Sequence, residues 1–217
     1  MKVLLGTTNP SKVKRFSDLL KDCDAEFVTL RDLTITAEPE ENGITPEENA
    51  IAKARFYGQY FDRVICNDSG LYFEELALDD ARQPGLNIRT PMQMNRLSDE
   101  EMIDYYSRLI CELGGKVSAY YLDGIAVYNQ GEIFSFMDQV TAQKTGAFYM
   151  IDKASPKRFE GWPLDSLSVN KDTGEYFVDG RVVDSKENII KGQYEKSIVS
   201  FLKRSLGMEF PKDAFDR

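Results

Sequence analysis

Val3-Leu4-Leu5-Gly6-Thr7-Thr8-Asn9-Pro10-Ser11-Lys12 is the stretch that decides the class of fold. Three apolar residues suit a strand, Gly6 to Asn9 suit a polar loop, and Pro10 suits a first helical position, where no amide proton is needed. Val13, Phe16, Leu19 and Leu20 then share one helical face. The result is a βα unit, and the chain repeats the alternation. Phe27-Val28-Thr29-Leu30 reads as a second strand, and the polar stretch Glu38 to Gly43 as a surface loop. A helix follows with Thr45 as N-cap, Pro46 at its first position, and Ala50, Ala54, Tyr57 and Phe61 on one face. The strand Val64-Ile65-Cys66 comes next, so an α/β core is expected.

Further along, Ser98 caps a helix carrying Met102, Tyr105, Tyr106, Leu109 and Leu113, which Gly114-Gly115 closes. Residues 117 to 151 read as strands: Ser118 to Tyr128, a turn at Asn129-Gln130-Gly131, Ile133 to Val140, and a strand near Ala147 to Ile151. Asp179-Gly180 reads as a hairpin turn between Tyr176-Phe177-Val178 and Arg181-Val182-Val183. The last helix places Tyr194, Ile198, Phe201, Leu202 and Ser205 on one side and ends at Gly207.

Composition narrows the chemistry. The chain has 217 residues and no histidine, which excludes His-activated serine or cysteine nucleophiles and His-ligated zinc or iron. A general base near neutral pH is then an Asp or Glu, and a metal is a hard, oxygen-ligated ion such as Mg²⁺. Cys23, Cys66 and Cys111 form no Cys-x-x-Cys and are odd in number, which fits a reducing cytoplasm. Twenty-seven basic against 36 acidic residues, a formal charge of −9, disfavour a nucleic-acid groove. No run of eighteen apolar residues or secretion-signal pattern stands in the sequence, so a soluble chain with no membrane partner is expected.

Four groups could do chemistry. Thr7-Thr8-Asn9-Pro10-Ser11-Lys12 offers amides, hydroxyls and a lysine to a phosphate, or is an ordinary βα loop in which Asn9 caps the helix. Glu47-Glu48-Asn49-Ala50-Ile51-Ala52-Lys53 offers a metal-binding carboxylate and a phosphate-binding lysine, or Glu48 completes a capping box with Thr45. Asn67-Asp68-Ser69-Gly70 puts an acid at the carboxyl end of a central strand, or forms a plain turn. Pro84-Gly85 followed by Arg89 offers an arginine for phosphate, or a surface charge.

In this order the motifs Thr-Thr-Asn-x-x-Lys, Glu-Asn-Ala-x-x-Lys-Ala at 48 to 54, Asp-Ser-Gly-Leu at 68 to 71 and Pro-Gly-x-x-x-Arg at 84 to 89 resemble the inosine triphosphate pyrophosphatase family. Those enzymes act on non-standard purine triphosphates such as those of inosine and xanthosine. The match is dense over residues 1 to 90 and thin afterwards. The resemblance implies an α/β fold with a central mixed sheet, flanking helices and two lobes around a substrate cleft, one pyrophosphatase-like domain over 1–217. It also implies a homodimer and Mg²⁺-dependent hydrolysis of a nucleoside triphosphate to monophosphate and pyrophosphate.

By that resemblance Thr8, Asn9 and Lys12 bind the triphosphate, Glu48 ligates Mg²⁺, and Lys53 approaches the phosphates. Asp68 is the general base and a metal contact, with Ser69, Gly70 and Arg89 on the substrate. The family has two acids where Asn67-Asp68 stands, and commonly a glutamate where Arg15 stands. Its Gly-Phe-Gly-Tyr/Trp-Asp-Pro segment is replaced by Phe159-Glu160-Gly161-Trp162-Pro163-Leu164-Asp165, in which Trp162 can stack on a base or serve as a packing residue. Its later Ser-His-Arg is replaced by Tyr194-Glu195-Lys196, leaving Lys196 as the candidate substrate contact there. Glu40, Glu41 and Glu47 suit either metal binding or a solvated loop. The competing readings are a non-catalytic nucleotide-binding module and a hydrolase of another phosphorylated metabolite.

Overall fold

The computed structural model describes residues 1–208 except 34, 36, 140, 141, 144, 145, 160, 161 and 181–187, and gives the backbone alone at 93, 180 and 188–193. The chain divides into two compact units, one of 1–69, 123–138 and 189–217, the other of 70–122 and 139–188. The fold is mixed α/β, with both parallel and antiparallel strand pairs and helices packed on the sheet.

In the first unit β1 (Lys2–Leu5) pairs in parallel with β2 (Glu26–Thr29), Val3 opposite Phe27, and with β3 (Arg63–Phe73), Leu5 opposite Ile65. Alternation along β1 buries Val3 and Leu5 on one face and Leu4 on the other. Helix α1 (Pro10–Leu19) covers the first face through Phe16, joined by Ile198, Phe201 and Leu202 of α5 (Asn188–Ser205). Helix α2 (Pro46–Tyr57) covers the second through Ala50, Ala54 and Tyr57 against Leu4, Val64 and Cys66. A sheet apolar on both faces explains the unbroken Val-Leu-Leu and Val-Ile-Cys runs.

β3 and β4 (Lys116–Asn129) are hydrogen-bonded neighbours, and each supplies residues to both units. In the first unit β5 (Glu132–Phe136) pairs antiparallel with β4. In the second, β6 (Phe148–Ile151) pairs antiparallel with β4 and then with β7 (Ser168–Val169). Helix α3 (Asp99–Glu112) buries Met102, Ile103, Tyr106 and Ile110 against Val117, Ala119, Phe148 and Met150. Ser98 caps it as the sequence indicates and forms a capping box with Glu101, and Gly114 and Gly115 end it at φ of 101° and 85°, values that a Cβ disfavours.

Several sequence expectations change. The strand read as ending at Cys66 continues to Phe73, so Asn67-Asp68-Ser69-Gly70 lies within β3 rather than in a turn after it. Ladder pairing overrides the local turn preference of Asp-Ser-Gly. The strand from Ile133 ends at Phe136, and Val140 lies outside the described residues. Asp179-Gly180 closes a single helical turn, α4 (Phe177–Gly180), not a hairpin, while Arg181 to Val183 fall outside the described residues. Helix α2 stops at Tyr57, before Phe61.

Candidate functional site

The first unit gathers most of the charged candidates around Asp68. Helix α2 fixes this carboxylate: Asn49 Nδ2 donates to Oδ2 at 2.9 Å and Lys53 Nζ to Oδ1 at 3.3 Å, from residues one helical turn apart. The Asn49 amide is itself oriented, because Gly43 N–H donates to its Oδ1 at 2.8 Å, which leaves only Nδ2 for Asp68. A Cβ on Gly43 would come within 2.7 Å of that same Oδ1, so the loop needs a glycine there. A carboxylate accepts about four hydrogen bonds, so Asp68 keeps capacity for water after these two.

Lys53 Nζ also pairs with Glu41 Oε2 at 2.8 Å. Burial disfavours its ammonium, but Asp68 and Glu41 outweigh that and hold its pKa above the usual lysine value. Lys12, on the first turn of α1, is different. Among the described residues it makes no ion pair or hydrogen bond, and burial lowers its pKa, opposed by Asp68 and reinforced by Lys53. A half-buried ammonium without a carboxylate partner is a ready receptor for an anion.

Local structure explains the rest of the phosphate-loop candidates. Asn9 Oδ1 accepts from Ser11 N at 2.9 Å and so caps α1. Thr7 Oγ1 accepts from Asn9 N at 3.2 Å, and Thr8 is exposed. A cavity of 290 Å³ beside them is lined by Thr7, Thr8, Pro10, Val13, Lys14, Thr29 and Arg31. Glu48 lies on the first turn of α2, where its Oε2 accepts from Ile44 N at 2.8 Å while Thr45 Oγ1 accepts from Glu48 N at 3.1 Å. The cap therefore reaches one residue beyond the Thr45 amide that the capping-box pattern suggests.

The opposite side of β3 carries a network absent from the sequence reading. Ser69 Oγ donates to Asp123 Oδ1 at 2.6 Å, and Arg15 Nη1 donates to Asp123 Oδ2 at 2.7 Å. Asn67 Nδ2 donates to Ser69 Oγ at 3.4 Å, while Asn67 Oδ1 is buried without a partner among the described residues. Tyr194 is close enough for the charges of Asp123 and Arg15 to act on it, and burial pushes its phenol up to about 12. The one available signal for Asp123 is an acid inside the apolar run Leu122 to Val127. Lys196, also in this unit, is exposed.

No group of three or more Cys, Asp or Glu able to hold a metal ion exists among the described residues. The donors that do converge are hard oxygens: Glu41 and Asp68 share the Lys53 ammonium. This set fits Mg²⁺, which needs one or two protein carboxylates when substrate phosphates and water complete its shell.

The second unit holds a separate cavity of 160 Å³, lined by Ile88, Arg89, Met102, Tyr121, Trp162, Pro163, Leu164 and Asp165. Trp162 is 37% exposed and Asp165 is buried. Arg89 reaches Asp99 Oδ1 at 2.8 Å and Leu97 O at 3.4 Å, which ties it to the start of α3. Gly85 adopts φ of 51° and accepts from Leu71 N at 3.0 Å; a Cβ on Gly70 would stand 3.1 Å from that carbonyl oxygen. The sequence placed Trp162 and Arg89 in different roles, yet both line this cavity, together with Tyr121, which it did not single out.

The model of the Ham1 family matches residues 3–143, a span that holds both the Asp68 cluster and Arg89. The chain belongs to the Ham1 family. A protein of Thermoanaerobacter sp. (strain X514) named dITP/XTP pyrophosphatase is 40% identical over 77 residues, covering 35% of this Ham1-family chain and 39% of that protein. One of the same name from Mannheimia succiniciproducens is 40% identical over 100 residues, 44% of this chain and 50% of its own length. The aligned part of this chain thus spans half or less of these relatives. The solved HAM1 protein of Coxiella burnetii shares the fold, with a TM-score of 0.70 at 21% identity over 94% of this chain and 99% of that one. Among the described residues no helix is long and apolar enough to cross a membrane.

Proposed function

We propose that this chain hydrolyses nucleoside triphosphates between the α and β phosphates, releasing monophosphate and pyrophosphate. The observation that carries the reading is Asp68, whose two oxygens are held by Asn49 and Lys53 while lone pairs remain for water. In this reading Asp68 takes the proton of a water whose oxygen attacks the α phosphorus. The bond from that phosphorus to the bridging oxygen breaks, and pyrophosphate leaves with the electron pair. Lys12 and Lys53 neutralise phosphate oxygens, and the α1 amides and Thr8 orient them. Asp68 with Glu41 or Glu48 would hold Mg²⁺, which supplies further charge neutralisation.

For the base, Trp162 offers a stacking face, and Arg89 and Asp165 offer polar contacts in the cavity of the second unit. The relatives' name, dITP/XTP pyrophosphatase, supports dITP and XTP as the substrate class. We further assign the chain to the cytoplasm as a homodimer; a monomer mass in light scattering would refute the dimer.

The test is a panel of ATP, GTP, ITP, dITP, XTP and pyrimidine triphosphates with Mg²⁺, read by monophosphate and pyrophosphate release. Turnover of one or more with pyrophosphate as product is expected. Release of inorganic phosphate alone, or no turnover, would sink the reading. Thermal stabilisation by triphosphates without product would favour a nucleotide-binding module instead.

A further inference from the structure

The strand geometry separates two groups that the sequence runs together. Successive β3 side chains point to opposite faces, so Asp68 turns toward α2 while Asn67 and Ser69 turn toward α1 and β4. On that side the direction of each hydrogen bond is forced by chemistry. Arg15 can only donate and the Asp123 carboxylate can only accept. Ser69 therefore gives its single hydroxyl proton to Asp123 at 2.6 Å, and its oxygen accepts from Asn67 Nδ2 at 3.4 Å.

Two consequences follow. A phosphate oxygen is also an acceptor, so the Ser69 hydroxyl cannot donate to phosphate while it donates to Asp123. And the Asn67 amide is turned so that its carbonyl oxygen, not its NH₂, is the buried atom left without a partner. An unpaired buried acceptor is destabilising, and a water or a cation at that oxygen would satisfy it. Asn67 is 2% exposed, and its neighbour in the chain is Asp68.

We propose that Asp123, clamped by Arg15, is a positioning residue of this enzyme: through Ser69 it keeps Asn67 Oδ1 free to accept from water, and it withdraws Ser69 from substrate binding. This rests on the proposed role of Asp68. Arg15 cancels the Asp123 charge, so the carboxylate orients its neighbours without repelling a polyanion. Asp123 acts on the reaction only through Ser69 and Asn67.

The experiment compares Ser69→Ala, Ser69→Thr, Asp123→Asn and the Ser69→Ala/Asp123→Asn double variant. Ser69→Ala and Asp123→Asn should each lower kcat about tenfold with the KM for triphosphate within about threefold of the wild type. Ser69→Thr, which keeps the hydroxyl, should restore kcat, and the double variant should be no worse than the poorer single one. Additive losses overturn the proposal, as does a tenfold rise in KM with unchanged kcat for Ser69→Ala. If the wild type turns over no triphosphate, the proposed function fails by itself, and the positioning is then read without activity. The Asn67 side-chain NH₂ signals, assigned by their loss in Asn67→Asp, should shift in both single variants while pyrophosphate binding by Ser69→Ala stays as in wild type. Unmoved signals, or pyrophosphate binding about tenfold weaker, overturn it.

Discussion

Lys12 and Lys53 both sense the charge of Asp68, yet their ammonium groups are shifted in opposite directions. Lys53 is half-buried but gains an ion pair with Asp68 and one with Glu41; Lys12 is half-buried and gains neither. One lysine belongs to the scaffold of the carboxylate, and the other is held in readiness at the cost of stability.

Replacing Lys12 should therefore separate stability from function. Lys12→Met should raise the thermal midpoint by about 2–4 °C near pH 7, the effect of roughly 1 kcal/mol in a domain of this size, while lowering triphosphate turnover about 100-fold. The sign with pH follows from linkage. A lysine whose folded pKa is lowered is more protonated in the unfolded chain, so its contribution to stability rises with pH up to its unfolded value of 10.5. The stability advantage of Lys12→Met should shrink as pH climbs toward that value, which thermal scans from pH 7 to 10 would measure.

Lys53→Met should behave in the opposite way. The raised pKa of Lys53 means that its stabilisation is present below 10.5 and lost only as pH rises through the folded value above it. The variant should be destabilised by about 1–3 kcal/mol, nearly constant between pH 7 and 9, because Asp68 and Glu41 lose their shared cation. Urea titrations at several pH values check this; an unchanged midpoint would show that neither pair matters.

These contrasts bear on what the sequence could reveal. The caps at Asn9, Thr45 and Ser98 were legible because each depends on residues within four positions. The chain resemblance brought Lys12, Glu48, Lys53 and Asp68 forward, and three of these lie in one electrostatic cluster. Whether Asn67 to Gly70 ends a strand or forms a turn stayed open in the sequence because local preference is blind to the ladder that extends β3. Asp123 stood out only as an acid in an apolar run, and its role was hidden for a related reason: its partners Arg15 and Ser69 lie 108 and 54 residues away, and no spacing rule spans such gaps.

Metal dependence should be coupled to substrate. Since no group of three acidic or cysteine side chains able to hold a metal is present among the described residues, Mg²⁺ should need nucleotide phosphates to complete its shell. EDTA should abolish turnover yet leave the thermal midpoint of the nucleotide-free protein within about 1 °C. A large EDTA-induced shift without nucleotide would point to a preformed metal site.

The sole tryptophan makes the second cavity directly observable. Trp162 is partly exposed there, so stacking by a purine should quench its fluorescence, and inorganic pyrophosphate should not. Trp162→Ala should raise the KM for purine triphosphates about 10- to 100-fold, the range expected for loss of one stacking platform, with a smaller effect on kcat. Equal quenching by pyrophosphate would refute the assignment.

Gly124 gives a test of packing beside the Asp123 network. It lies in β4, where a Cβ would overlap the backbone of Pro46 and Glu47 at the start of α2. Neither backbone can yield cheaply, because Pro46 opens the helix and Thr45 caps it through Glu48 N. Gly124→Ala should thus cost about 1–3 kcal/mol, as overpacking does, and should displace the helix that holds Asn49 and Lys53 on Asp68. Denaturant unfolding gives the stability loss, and kcat at a temperature where the variant remains folded gives the second effect. A destabilised variant with full kcat would show that α2 can shift at Gly124 without disturbing the carboxylate.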